Sequence, residues 1–205
     1  MSGRPDGVFI NVPFDRRYKK LLDALIFAVH DCGFLSRCAK EQGDSSQVRL
    51  EKLYTIIEEC PFGIHDLSRT TLDPVNRLPR FNMPLELGVF LGAKRYGNSA
   101  QRRKSCLILD RDPYRYQICC SDIAGQDIRA HHNRAESAIV AVRDWLRTAR
   151  RSSGRIPSGS RLVQRYVHFK RDLPRICGRE GLELRELSFL DYRAMVTGWV
   201  EANEW

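Results

Sequence analysis

Apolar and polar positions change period several times along the chain, and each change marks an element. Gly7 to Phe14 (GVFINVPF) is a β-branched and aromatic run closed by Pro13, which predicts a buried first strand. From Tyr18 the apolar residues fall at Leu21, Leu22, Leu25, Ile26, Val29 and Cys32, offsets of three and four that define one helix face. Gly33 stops that helix, and Phe34 to Ala39 predicts a second short strand running into a polar loop. Leu50, Leu53, Tyr54, Ile57 and Cys60 line a helix from about Gln47 to Cys60, with Asp44, Ser45 or Ser46 available as cap and Pro61 enforcing the end. Phe62 to Asp66 predicts the third strand. A long polar loop containing prolines follows, then a helix from about Met83 whose Pro84 suits a first turn. Lys104 to Asp110 reads as a fully buried fourth strand. Tyr116 to Cys120 is expected as an edge strand, and Asn133 to about Ala149 as a helix with Ile139, Val142 and Leu146 inward.

This alternation predicts an α/β fold: a parallel five-stranded sheet with helices on both faces. Arg150 to Ser160 has linker chemistry, so the chain divides into an α/β domain over 1–150 and a basic linker with a small C-terminal helical appendage over 151–205. In the appendage, Leu162 to Leu173 suits a short amphipathic helix halted near Pro174. Leu182 to Leu187 alternates as an extended segment would, and Ser188 opens a last helix through Met195, Trp199 and Val200.

Composition narrows the class. The chain has 205 residues, of which 42% are apolar, enough for a core. No apolar run approaches the ~20 residues that span a bilayer, and Met1 to Asp6 lacks a signal-peptide stretch, so a cytoplasmic protein without membrane contact is expected. Seven cysteines, an odd number with no CxxC pair, read as buried free thiols; adjacent His131 and His132 supply no metal set. The net charge is +9, and residues 143–185, with twelve bases against four acids, hold +8 of it. That segment reads as a solvated face or an assembly surface; non-specific nucleic-acid attraction through phosphate charge is the other reading, with no reader motif to give sequence specificity.

One carboxylate stands out. Glu86 lies among Met83, Leu85, Leu87 and Val89, where an acid is costly to bury unless paired or at work. In open parallel sheets ligands collect at the carboxyl ends of the strands. Here those ends offer Asn11 and Asp15, then Glu41, then Asp66 and Ser68, then Asp110 and Asp112. Acids around one crevice without histidine or cysteine clusters suit a sugar carbon that becomes cationic, as when an N-glycosidic bond is cleaved. Glu86 would stabilise or attack the anomeric carbon, and Asn11, Asp15, Glu41, Asp66, Ser68 and Asn82 are the candidates for shaping the ribose pocket. Plainer roles compete: an ion pair from Glu86 to Arg80, Lys94 or Arg95, a turn or helix cap at Asp66 or Asp15, and a solvated Glu41.

At these residues the chain resembles a known group. Val8 to Phe14, His65-Asp66-Leu67, and Pro84-Leu85-Glu86-Leu87-Gly88 followed by Leu91-Gly92-Ala93-Lys94 look like the nucleoside 2-deoxyribosyltransferase-like proteins, which share a flavodoxin-like superfamily with bacterial Toll/interleukin-1 receptor (TIR) domains. The resemblance covers roughly 7–150. It implies a flavodoxin-like, TIR-like fold and makes Glu86 the match to the nucleophile of a Phe-Glu-Leu-Gly motif, with Leu85 replacing phenylalanine; Asp66 matches the acid after the third strand. Arg80-Phe81-Asn82-Met83 replaces the small acidic lead-in of the transferases, which turns the expectation from deoxynucleoside exchange toward the TIR-like branch. Many bacterial members of that branch split NAD or build signals from it in antiphage defence. The expectation is therefore a hydrolase or cyclase of the NADase type, with NAD as substrate and no retained cofactor, acting as a homo-oligomer or with an assembly partner. The alternatives are a nucleotide- or signal-binding module, an assembly adaptor, and a nucleoside deoxyribosyltransferase.

Overall fold

In the computed structural model, which describes residues 5–41, 43–70, 78–149 and 156–204, five parallel strands form the centre. They are β1 (Gly7–Asn11), β2 (Leu35–Arg37), β3 (Phe62–Asp66), β4 (Ser105–Asp110) and β5 (Arg129–Ala130), in the order β2-β1-β3-β4-β5. The register sets Ile10 beside Ile64, His65 beside Ile108 and Asp110 beside Ala130. This is the flavodoxin-like order, and its reversal point falls between β1 and β3.

The pleat sorts side chains between two layers of helices. Val8, Ile10, Ile64, Leu107 and Leu109 face α1 (Lys19–Asp31) and α5 (Ala135–Ala149). Phe9 meets α2 (Arg49–Glu59) and Phe90 of α3 (Asn82–Tyr96), and Ile108 meets Met83 and Leu87. A single turn, α4 (Ser99–Arg102), capped by Asn98, leads into β4. The helices expected before residue 150 begin within one or two residues of their anticipated starts.

The edge strand is placed elsewhere. Tyr114 adopts φ 61°, which turns the chain after Pro113, and the next residues wind into 3-10 turns at Arg115–Ile118 and Ser121–Ile123. Tyr116 inserts between Leu67, Met83 and Ile108 while Ile118 stays 84% exposed, so burying one ring outweighs any pairing along 116–120. The two residues of β5 supply the edge instead.

The C-terminal segment also differs from expectation. α6 (Gly159–Arg179) runs straight through Pro174, because the apolar stripe of Leu162, Phe169, Leu173 and Cys177 continues beyond it and is buried. That burial offsets the roughly 3 kcal/mol an internal proline costs. Leu182 to Leu187 forms turns and no strand, following the reversal at Gly181 (φ 68°). α7 (Phe189–Ala202) opens with a reciprocal capping box between Ser188 and Asp191. Both helices close over α1: the Phe27 ring lies 5.3 Å from Tyr166, 5.4 Å from Phe169 and 5.8 Å from Trp199, centroid to centroid. The appendage thus shares its core with the sheet.

Polar ties reinforce that seam. Arg165 grips the buried Asp31 with Nε at 2.9 Å and a terminal nitrogen at 2.8 Å, Lys170 reaches Asp23 at 3.4 Å, and Arg143 donates to the carbonyls of Ile156 and Pro157. Part of the basic segment is therefore internal scaffolding. The linker over 150–155 and the proline-containing stretch 71–77 lie outside the described residues. No helix among the described residues is long and apolar enough to cross a membrane.

Candidate functional site at the carboxyl ends of β1 and β3

Alternation along the strands sends Asn11 and His65 to the α3 side of the sheet and Asp66 to the α1 side, so the anticipated residues divide into two groups. On the α3 side, the Asn11 amide donates to the Met83 carbonyl at 2.9 Å and to His65 Nδ1 at 3.0 Å. This pins the first turn of α3 to the end of β1. Because Nδ1 accepts, the His65 proton belongs on Nε2, which finds no hydrogen-bond partner among the described residues and lies against Phe90, ring centroids 4.9 Å apart. Burial drives the His65 pKa down to about 3, so the ring is neutral.

Glu86 follows Met83 by one turn of α3. Met83, Leu87 and Phe90 take the buried face, which leaves Glu86 half-buried at its margin. It makes no hydrogen bond or ion pair among the described residues; Arg80, one of its expected partners, binds Asp15 at 3.2 Å instead. Burial pushes the Glu86 pKa up to about 7, and Arg49 at the start of α2 offsets only part of that rise. Burial that raises a carboxylate in this way is one of the means by which proteins tune acids and nucleophiles.

Asp15 connects the loops above this point. Its Oδ1 accepts from the Tyr18 backbone N–H at 3.0 Å, starting α1, while Oδ2 meets Arg80 and, at 3.8 Å, Arg69. Asp15 therefore braces the turn that precedes α1, whose N-cap is Tyr18, and is not itself the helix cap. Two guanidiniums sharing one acid leave a net positive charge beside the ends of β1 and β3. Asn82, the first residue of α3, is exposed.

The second group is buried. Asp66 accepts from the Tyr18 hydroxyl at 2.5 Å and from the Ser68 backbone N–H at 2.7 Å. His131 Nε2 stands 3.0 Å from Asp66 without the alignment of a directed hydrogen bond; its Nδ1 accepts from the Asn133 N–H. Neighbouring Asp110 is clamped by Arg115 at 2.5 Å, with Arg115 also donating to the Leu67 carbonyl. Burial raises the Asp110 pKa, a rise that Arg115 opposes and the charge of Asp66 reinforces. The Ser68 hydroxyl and Asp110 Oδ2 are buried without a partner among the described residues. This network ties α1, β3, β4 and the start of α5 together.

Glu41 belongs to neither group. Arg37 holds it at 2.5 Å and Arg193 of α7 at 3.2 Å, so it fastens the C-terminal helix to the end of β2. The sequence reading missed Tyr18, whose hydroxyl was masked by its place on an apolar helix face, and His131 and Arg115, which reach Asp66 and Asp110 only through the fold. No cluster of three or more potential metal-ligating side chains occurs among the described residues. Compared with known protein families and with curated proteins, the chain matches none, so the site rests on its geometry.

Proposed function

We propose that the protein cleaves the N-glycosidic bond of NAD or a related nucleotide, with Glu86 as the catalytic carboxylate. The observation that carries this reading is the half-buried Glu86, without an ion pair among the described residues and with its pKa near 7, one turn from the point where Asn11 anchors α3. The C1′–N bond breaks and its electron pair leaves with nicotinamide, which departs neutral. The ribosyl cation left behind is stabilised by the ionised Glu86; water then adds to C1′ and releases a proton. A cationic nicotinamide ribosyl group beside Glu86 itself favours the ionised carboxylate, so substrate and catalyst reinforce each other.

The surrounding residues divide the remaining work. Arg69 and Arg80, sharing Asp15, supply net positive charge for a pyrophosphate. Exposed Asn82 offers its amide to a ribose hydroxyl. The Asn11 amide is already committed to Met83 and His65, so it positions α3 and does not bind sugar. Asp66 likewise holds the scaffold through Tyr18.

Incubating the purified chain with NAD, dilute and concentrated, and following nicotinamide tests this. Release is expected in the wild type, rising between pH 6 and 8 as Glu86 ionises, and falling by at least 100-fold in Glu86→Gln. Release that survives the substitution removes Glu86 from its role. Saturable nucleotide binding without turnover at any concentration identifies a sensing module instead, and neither binding nor turnover an adaptor.

A further inference from the structure

A cleft of about 200 Å³ opens on the α1 side of the sheet, between the β1–α1 loop, the end of β2 and the start of α7. Its floor is apolar: Phe14, Leu22 and Leu187 are part-exposed there, and Ile26, Phe189 and Tyr192 back them from the buried core. Its rim carries three cations, Arg16, Lys19 and Lys40. Two of them lie against aromatic faces, Lys40 Nζ 4.8 Å from the Phe14 centroid and Lys19 Nζ 5.2 Å from that of Tyr192.

The acids of the cleft are already engaged. Asp15 faces Arg80 and Arg69, and Asp23 is shared between Lys19 and Lys170. Arg16 and Lys40 are exposed and meet no carboxylate among the described residues. The start of α7 is satisfied by its own Ser188–Asp191 box, so the helix end contributes nothing to the charge argument. What remains is an excess of positive charge over an aromatic-walled apolar floor, the combination of fixed polar groups and greasy lining that defines a small-molecule site.

We propose that this cleft binds a small phosphate monoester with a flat apolar body. The dianionic phosphate meets Arg16 and Lys40, with Lys19 as the third cation, and the apolar body lies on the part-exposed Phe14, Leu22 and Leu187. Both halves of the ligand are required: three cations around one anion favour a dianion over a monoanion, and the floor has nothing to offer inorganic phosphate. Because the walls come from α1 and α7, an occupied cleft braces the C-terminal helix against the sheet.

Phenyl phosphate is the minimal probe. Titration of the full chain, followed by calorimetry and by melting temperature, is expected to show saturable one-to-one binding that raises the melting temperature and weakens with added salt. Benzoate, phenol and inorganic phosphate are each expected to bind at least tenfold more weakly. Arg16→Glu alters an exposed side chain, so the unliganded melting temperature stays where it was, Lys40→Glu lowers it slightly by giving up the Phe14 contact, and in each affinity for phenyl phosphate drops at least tenfold. Glu86→Gln binds the probe like wild type, which separates this site from the proposed nucleotide cleavage. No binding of phenyl phosphate overturns the proposal, as does unchanged affinity in the Lys40→Glu/Arg16→Glu double variant. Inorganic phosphate binding as tightly as phenyl phosphate overturns it too, because the floor then plays no part.

Discussion

At the scale of single residues, Glu86 links a catalytic reading to a stability measurement. Its folded pKa of about 7 exceeds the ordinary value of 4.5, so the folded chain holds that proton more tightly than the unfolded one. The associated stability is fully present below pH 4.5 and is lost as pH rises through 7. Glu86→Gln does not titrate, so it is expected to gain on the wild type with rising pH, by about 1–2 kcal/mol between pH 5 and pH 8 after allowance for partial exposure. Urea unfolding at both pH values measures this, and equal differences at the two would remove the raised pKa. Gly63 gives a second residue-scale test: an added Cβ would stand 2.8 Å from both His65 Nε2 and the Phe90 ring. Gly63→Ala is expected to cost about 1–3 kcal/mol, read as a lowered denaturation midpoint, since neither ring has space to yield. Glu86 was legible in the sequence because an acid among four apolar neighbours breaks a pattern. Tyr18 was not, because its ring obeys the helix pattern and only its hydroxyl, 48 residues from Asp66, departs from it.

At the scale of elements, the periodicity located β1 through β4 and the helices α1, α2, α3 and α5 because each carries a continuous apolar run or face that the sheet and its helix layers bury. It misjudged the segments whose fate depends on a distant surface. The 116–120 stretch carries the right residues for a strand, yet Tyr116 has a ready slot beside Met83. α6 outlasts Pro174 because α1 offers somewhere to bury Phe169 and Cys177 on either side of it. His30 shows how such elements are joined: Nε2 meets Ser36 next to β1, and Nδ1 lies 3.1 Å from Thr197 of α7. Burial first, and Arg193 second, lower its pKa from 6.5 to about 4. A depressed histidine contributes stability that is present above pH 6.5 and lost as pH falls through 4, because the unfolded chain takes up the proton first. His30→Gln is therefore expected to gain on the wild type as pH falls from 7 to 4, read as the difference between the two in denaturant titrations. A slope unchanged by the substitution would assign the acid sensitivity to other groups.

At the scale of the whole molecule, the division into an α/β part and an appendage describes chain order better than architecture. Phe27, Phe169, Tyr192 and Trp199 form one aromatic centre drawn from both parts, and the buried Asp31 depends on Arg165 for its counter-ion. Ending the chain after Ala149 would expose the outer face of α1 and leave Asp31 without that partner. Such a truncation is expected to be recovered as aggregate, whereas a monomer on size exclusion that unfolds cooperatively would show the α/β part to be self-sufficient. The +8 segment looked from the sequence like a free basic surface; Arg143, Arg165 and Lys170 are already used inside, and charge counts carry no sign of which cations have internal acceptors. The union of Asp31 with Arg165, 134 residues further along, also bears on how the protein is made. A ribosome delivers α1 well before α6 and α7, so over that interval a helix that ends up almost wholly buried travels without its cover. Contacts of such long range slow folding and prolong exposure. Chaperone demand for this chain should therefore be greatest during synthesis and end abruptly once α6 and α7 clear the exit tunnel.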